Sequence, residues 1–426
     1  MAIVRSEKFI FVESKENHNK FWYIEEHDSG MIKTTYGRVG NTPTSTTKNV
    51  LNPSKEYDKL VKSKLKKGYV KLNTIDNVDE NSNAIPAYNL ESIALSEIEY
   101  DKTNSHIENM IKTFCQENIH NITSNSNIVF DKNNNVFQTP CGIITSKGID
   151  LARAILSKIY DYFENKDFSN DFIKDVEEYC SIIPQKVHGK FNPEKIFVTK
   201  QDVEKQSSVL DSLENTLTVI ENLKNSTNNH EKMFNVICKE ITDKKIIKHI
   251  TLLYENTKQS IHSSHRLKIK RIYSICIKSM ETAFEKTKEE WTAKKINFNL
   301  KELWHGSRKA NMISIFKNGM IIPNKHASHC TGRMFGNYLY FSDQSTKSLN
   351  YSYGWWSGHT RDNNCYMFLC DVLMGKAYTP GRSGCTVIPN GYNSIFAKGG
   401  ISGVQNNEMM VMPEQVNPKY IIEFEG

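Results

Sequence analysis

No apolar run in this chain approaches the roughly 20 residues that cross a bilayer, so a helical membrane span is not expected. The opening residues MAIVRSEKFIFVESKE lack the long apolar core and small-residue cleavage site of a secretory leader, and the chain is expected to stay where it is made. Cysteine pairing is missing too. The nine cysteines are odd in number, scattered, and without CxxC spacing, which argues against a zinc ribbon and against a secreted disulfide framework. No repeat at solenoid periods is visible. A strong charge imbalance is also absent: a net charge of +7 over 426 residues by itself reads as solubility more than as nucleic-acid binding.

What is present is an ordinary globular composition, 38% hydrophobic and 24% charged, in a chain too long for one core; two to four domains are expected. The charge is unevenly placed. Residues 55–71 hold seven lysines against Glu56 and Asp58, a local excess of five positive charges and a candidate phosphate contact. The segments KFIFVES, KFWYIEE and MIKTTYGRVG read as strands separated by turn formers, and after Pro53 the spacing of Tyr57, Leu60, Val61 and Leu65 predicts a helix with its lysines on the other face. From Asn73 to about Tyr100 the chain turns acidic and rich in Asn and Ser, like a linker. Residues 104–223 read as helices in pieces. One carries Ile149, Ala152, Leu156, Ile159 and Phe163 inward behind Ser146 as N-cap, and another repeats Leu210, Leu213, Leu217, Ile220 and Leu223. The remainder mixes strand patterns such as LKIKRIYSICI with helical ones at 280–291 and 308–317, as in an α+β domain.

Three places cluster polar, aromatic and glycine residues where a strand meets a turn. In LWHGSR (303–308), glycine lets a ligand approach the backbone while His305 and Ser307 offer hydrogen bonds; alone, such a pair is more often a structural turn. MFGNYLYFSDQSTKSLNYSYG (334–354) sets five Tyr and Phe rings between Gly336 and Gly354, crowding that suits either a flat ligand or a well-packed strand and helix. In GVQNNEMMVMP, Glu408 opens an apolar run that Pro413 ends.

Taken together, these three segments resemble the catalytic domain of the poly(ADP-ribose) polymerases, a diphtheria-toxin-like ADP-ribosyltransferase. The family's His-Gly-Ser-Arg stands as His305, Gly306, Ser307 and Arg308, and its Tyr-Phe-x-Asp as Tyr340, Phe341 and Asp343. Its Lys-Ser and Asn-Tyr follow as Lys347, Ser348, Asn350 and Tyr351, and its Asn-Glu as Asn407 and Glu408. Upstream, TPCGIITSKGIDLARAILSKI, YCSIIPQ and VLDSLENTL resemble the helical regulatory domain of the DNA-dependent branch, and NKFWYIEEHDSGMIKTTYGRVG resembles the WGR domain. The chain departs from the family in three respects: the name-giving tryptophan is Tyr36, ahead of Gly37 and Arg38; the donor-site arginine falls at Ile321; and the loop before Glu408 is short. No cysteine pattern supports the zinc fingers of the largest members.

The resemblance implies an α+β multidomain chain: a small β-rich WGR-like DNA-binding domain (1–75), a linker (76–100), an all-α regulatory bundle (101–222) and a diphtheria-toxin-like α+β transferase domain (223–426). It implies transfer of ADP-ribose from NAD+ to protein acceptors, itself included, with chain elongation, release of nicotinamide and activation by DNA breaks. Transfer of single units and non-catalytic binding of DNA or NAD+ are the alternatives. Glu408, His305 and Tyr340 would be catalytic, and His305, Gly306, Ser307, Tyr340, Ser348 and Tyr351 would bind NAD+. Lys347 would orient Glu408 or acceptor groups, or else be a solvated lysine. Tyr36, Arg38, Lys62, Lys64 and Lys66 would meet DNA, and Asp211 would be regulatory, on a helix with Leu210 and Leu213 that the resemblance places over the NAD+ site. NAD+ enters as substrate, with no metal, no further cofactor and no membrane partner. The expected compartment is the nucleus in a eukaryote, or the cytoplasm or nucleoid in a bacterial or viral setting.

Overall fold

A computed structural model of the chain describes residues 2–13, 18–38, 43–71, 90–126, 128–131, 136–139, 142–143, 146–185, 191–225, 232–322, 334–355 and 361–426. In chain order the elements are β1 (Ile3–Glu13), β2 (His18–His27), β3 (Met31–Arg38), β4 (Thr44–Asn49), α1 (Pro53–Lys66), β5 (Val70–Lys71), α2 (Leu90–Glu97), α3 (Ser105–Asn125), β6 (Val129–Asp131), β7 (Val136–Thr139), β8 (Gly142–Ile143), α4 (Ser146–Asn165), α5 (Asn170–Ile182), α6 (Pro193–Ile196) and α7 (Lys200–Asn225). There follow β9 (Val236–Glu240), α8 (Lys244–Asn256), β10 (Lys268–Ile277), α9 (Lys278–Ala293), β11 (Leu300–Gly306), α10 (Lys309–Asn318), β12 (Leu339–Phe341), α11 (Ser345–Tyr353), β13 (Cys365–Leu373), β14 (Ala377–Tyr378), β15 (Ser394–Ala397), β16 (Glu408–Val411) and β17 (Val416–Glu425). They form two compact units: residues 1–89 with 119–227, and residues 90–118 with 228–426.

The first unit contains an antiparallel sheet in the order β4-β3-β2-β1-β5. Strand alternation sends Phe9, Trp22, Ile24 and Ile32 to one face, where Tyr57 of α1 covers them. Helix α1 starts where expected: Asn52 caps it by accepting from the Lys55 amide at 3.1 Å, and Pro53 sits where a missing N–H costs nothing. Leu65, expected inward, is 48% exposed, because Tyr57, Leu60 and Val61 already fill the stripe over the sheet.

The helical part of the same unit packs α4, α5 and α7 around Ile149, Ala152, Leu156, Ile159, Phe172, Val176, Leu210 and Leu213, with Phe163 against its margin. Side chains of Leu217, Ile220 and Leu223, and of Ser146, lie outside the described residues; Ser146 is the first residue of α4 itself rather than a cap before it. The all-α expectation needs correction, since β6, β7 and β8 form a three-stranded antiparallel sheet within it. Strands of two to four residues are too short for sequence periodicity to mark.

The second unit has two sheets, β11-β13-β17-β10-β9 and β12-β16-β15-β14. β13 is buried on nearly every residue of CYMFLCDVL, as its continuous apolar run requires of a central strand. On one face Trp304, Met367, Leu369, Ile422 and Phe424 pack with Ile250 and Tyr254 of α8 and Leu349 and Tyr353 of α11. A bridge between Trp304 and Ser342 joins the two sheets, each residue's N–H donating to the other's carbonyl at 3.0 and 3.1 Å. Helix α2 lies inside the stretch expected to be linker, and Phe114 of α3 meets Phe316 and Tyr366 edge-on, so residues 90–118 help to build this core.

Candidate active site

Strand β11 delivers the first motif. It pairs with β13, setting His305 opposite Phe368 and Gly306 opposite Met367, and then ends. The His305 ring lies between Phe341 and Phe368, with centroids at 5.2 and 6.4 Å, and its Nδ1 donates to the Tyr340 carbonyl at 2.9 Å. Burial pulls the imidazole pKa down; the Tyr340 carbonyl opposes that, and the Lys347 ammonium adds to it. A neutral ring that spends its proton on Tyr340 keeps a lone pair on Nε2 for a ligand hydroxyl.

Gly306 is dictated by close approach. A Cβ there would stand 1.8 Å from the Ser348 carbonyl oxygen and 3.3 Å from Ser352 Oγ, so only glycine lets β11 touch α11. Ser348, 4% exposed, donates its hydroxyl to the Trp304 carbonyl at 2.9 Å, which leaves it able to accept from a ligand amide. Gly306 and Ser348 are thus adjacent. Ser307 receives the Asn311 side-chain N–H at 3.3 Å. Tyr340 is tied into its own loop, its hydroxyl accepting from the Phe335 amide at 3.0 Å and donating to the Gly336 carbonyl at 2.9 Å. Residues 323–333, which precede the second motif, lie outside the described residues, and Ile321 at the donor-site arginine position is 55% exposed.

Glu408 opens β16, and its Oε1 lies 2.6 Å from Lys347 Nζ on α11. Lys347 is 4% exposed and is therefore not a solvated lysine; its ammonium is a buried partner of Glu408. Burial pulls its pKa below the ordinary lysine value, while Glu408 pulls it back up. The same ammonium sits 5.3 Å from the Tyr351 ring centroid. His305, Gly306, Ser348, Lys347, Tyr351, Tyr340 and Glu408 are therefore linked by direct contacts between neighbouring strands and α11.

Two parts of the site were not foreseen. Ser342 donates its hydroxyl to the Asn407 carbonyl at 2.7 Å, and Asn407 in turn donates its amide to both Asp343 oxygens at 3.1 Å and accepts from the Gly399 N–H at 3.0 Å. His262 is buried, with Nδ1 2.9 Å from Thr346 Oγ1 and Nε2 3.1 Å from Asn406 Oδ1. Burial lowers its pKa, partly opposed by Asn406. It stands far from Thr346 and Asn406 in sequence, and no local pattern joins them. No cluster of three or more His, Cys, Asp or Glu suited to a metal occurs among the described residues.

The residues expected to meet DNA lie in the first unit. Tyr36 is 40% exposed and pairs with Trp22 across β2 and β3; alternation puts it and Arg38 on the face of the sheet that carries Ile32 and α1. Lys62 and Lys66 are exposed. Lys64 differs, its ammonium lying 5.1 Å from the Trp22 ring and 4.7 Å from the Tyr69 ring, with burial and the neighbouring Lys67 and Lys20 lowering its pKa. Asp211 of α7 is bound 2.6 Å from Arg153 of α4, which Glu214 also holds at 2.6 Å.

These features define a class: an N-terminal WGR domain, matched over residues 7–75, and a poly(ADP-ribose) polymerase catalytic domain, matched over residues 244–400. A poly(ADP-ribose) polymerase-like protein, 100L, of Invertebrate iridescent virus 6 is 32% identical over 163 residues, covering 36% of this chain and 83% of the viral protein. The chain belongs to the poly(ADP-ribose) polymerase family. Poly(ADP-ribose) polymerase 2 of Arabidopsis thaliana is 24% identical over 85% of this chain, and a poly(ADP-ribose) polymerase of Sarcophaga peregrina 27% over 61%. The chain spans 59% of the plant protein and 26% of the insect one.

Proposed function

We propose that the chain transfers ADP-ribose from NAD+ to protein acceptors, itself included, releasing nicotinamide. The observation that carries this reading is the pairing of buried Lys347 with Glu408 beside the His305–Gly306–Ser348 contact, inside a chain of this family. Breaking the bond between ribose carbon and nicotinamide nitrogen leaves positive charge on the ribose ring, and a carboxylate beside it lowers that barrier. Glu408 supplies the carboxylate, and Lys347 holds it in one place. The Gly306 backbone and the Ser348 hydroxyl receive the carboxamide of nicotinamide, Tyr340 and Tyr351 flank its ring, and neutral His305 accepts from a hydroxyl of the adenosine ribose. NAD+ is consumed as substrate, and the reading requires neither metal nor further cofactor.

Chain elongation and activation by DNA breaks are finer parts of the proposal. A glutamate at 408 favours elongation by family resemblance, whereas the short loop before it favours single transfers. The WGR match and exposed Tyr36, Lys62 and Lys66 support DNA as the activator, with the helical region around Asp211 restraining transfer until DNA is bound. The domain reading 1–75, 76–100, 101–222 and 223–426 remains part of this proposal, with 90–118 folded into the second unit. No helix among the described residues is long and apolar enough to cross a membrane, and an intracellular site of action, with DNA, is proposed. Incubation with labelled NAD+, with and without nicked DNA, and resolution of the products on a gel tests the transfer, its elongation and its dependence on DNA. A ladder that depends on DNA supports elongation and activation, and a single band supports unit transfer. Absence of label under every condition overturns the transferase reading.

A further inference from the structure

Residues 239–271 carry nine Lys and Arg against Glu240, Asp243 and Glu255, a second concentration of positive charge as large as that of the N-terminal helix. The fold gathers five of these cations, Lys258, Arg266, Lys268, Lys270 and Arg271, around one concavity of about 540 Å³ between α8 and β10. Its floor is apolar, made by Ile241, Ile247, Ile269 and Ile272. A β-bulge explains the crowding: pairing with β17 shifts between Ile269 and Arg271, so Lys270 is the extra residue and consecutive cations escape strict alternation.

The carboxylates nearby do not consume all this charge. Glu423 takes Lys270 at 3.1 Å and Arg271 at 3.2 Å, Glu425 lies 3.6 Å from Lys270, and Glu255 takes Lys258 at 3.2 Å. Glu240 accepts from Asn104 at 2.8 Å, pairs with His106 at 3.1 Å and stands 4.0 Å from Arg271. Arg266 donates only to the neutral Tyr353 hydroxyl and Asn363 side chain, at 2.9 and 3.1 Å, and Lys268 is exposed; neither has a carboxylate partner among the described residues.

We propose that this groove is a binding site for a pyrophosphate-linked nucleotide unit, and specifically for ADP-ribose units of the product chain. This rests on the transferase reading for the source of the ligand, not for the site. Two cations without carboxylate partners match the two charges of a pyrophosphate, and an apolar floor of this size takes one unstacked base. A DNA duplex is a poorer match, because its convex backbone offers phosphates with the bases stacked inside, whereas every ADP-ribose unit is single-stranded. The groove would hold product on the enzyme away from Glu408.

The test uses the full chain and a fluorescent ADP-ribose oligomer, followed by anisotropy, with hydrogen exchange of residues 244–272 read in parallel. Lys268→Glu with Lys270→Glu reverses two exposed charges and touches no residue placed in the active site. The expected result is a loss of affinity of about tenfold or more, disappearance of oligomer-induced protection in 244–272, and unchanged transfer from NAD+ to a separate acceptor. Equal affinity in the variant, or competition by single-stranded DNA of the same charge as strong as that by the oligomer, would overturn the proposal. A wild type that binds oligomer here yet transfers nothing from NAD+ would support the groove and sink the transferase reading.

Discussion

The ion pair between Lys347 and Glu408 places two opposing demands on one contact. Each charge loses water, and only the other makes that tolerable; truncating one partner of such a pair typically costs about 3–5 kcal/mol because the remaining charge stays buried. Glu408→Gln is therefore expected to lower the thermal midpoint as well as to reduce transfer by roughly a hundredfold or more while NAD+ still binds. Adding Lys347→Met should restore the midpoint and leave transfer lost; differential scanning fluorimetry beside the labelled-NAD+ assay separates the two effects. A double variant that recovers transfer would mean that Glu408 is not the group stabilising the ribosyl cation. The histidines give a further expectation. Burial depresses the pKa of both His305 and His262, so each stays neutral in the folded protein at pH values where it would be protonated unfolded. Their contribution is complete above the unfolded value of about 6.5 and is lost as pH falls through the depressed folded values. The thermal midpoint should drop on acidification below about pH 6.5, and His262→Gln should flatten that slope relative to wild type.

Elements meet here through very few atoms. β11 can lie against α11 only because residue 306 has no Cβ, and Gly306→Ala sets a methyl 1.8 Å from the Ser348 carbonyl, an overlap that must push strand and helix apart. The expected consequence is loss of binding of nicotinamide and of ring-amide analogues before loss of fold, seen by titrating inhibitor against a protein with an unchanged circular dichroism spectrum. Ser342 is the corresponding joint between sheets. Its backbone bridges Trp304 and its hydroxyl fixes the carbonyl of Asn407, the residue before Glu408. Removing that hydroxyl should cost about 0.5–1.5 kcal/mol of stability, with the Glu408 carboxylate held less firmly. Ser342→Ala is expected to lower kcat several-fold with little change in KM for NAD+, a split that a loosened core would not produce; Ser342→Thr, which keeps the hydroxyl, should recover part of it.

At the scale of the whole molecule, the division of the chain decides which truncations can work. Residues 90–118 fold with the second unit, where Phe114 packs on Phe316 and Tyr366 and Asn118 donates to the Ala310 carbonyl at 3.2 Å. A deletion of 101–222 would strip those contacts along with the helices. Deletion of 119–227, closed by a short Gly/Ser linker, should instead leave a folded transferase whose activity no longer responds to DNA; a loss of basal restraint of a hundredfold corresponds to about 2.7 kcal/mol of bias. Solubility and DNA-independent turnover of the two deletions, compared side by side, check this. Charge reversal at exposed Lys62 and Lys66 should weaken DNA activation of the intact chain with a shallower salt dependence. Lys64, already laid across Trp22 and Tyr69, should contribute more to stability than to DNA binding.

The order of motifs was legible in the chain itself, because LWHGSR, the YFSD…KSLNY run and NNE keep local spacing, and local spacing is what strand and helix periodicity preserve. The N-terminal sheet, helix α1 and the strand Lys268–Ile277 were legible for the same reason: alternation or helical spacing there runs for seven residues or more. Short elements left no such trace, and neither β6–β8 nor the helix Leu90–Glu97 inside an apparent linker stands out from its composition. Long-range contact decided the rest. Whether Lys347 was a solvated lysine or the partner of Glu408 depended on the burial of α11 against β11 and β13, and the same packing brought His262 to Thr346 and Asn406. Those pairs are joined by desolvation and a few hydrogen bonds between residues far apart in the chain, and such terms have no period in a sequence; only the folded tertiary structure creates them.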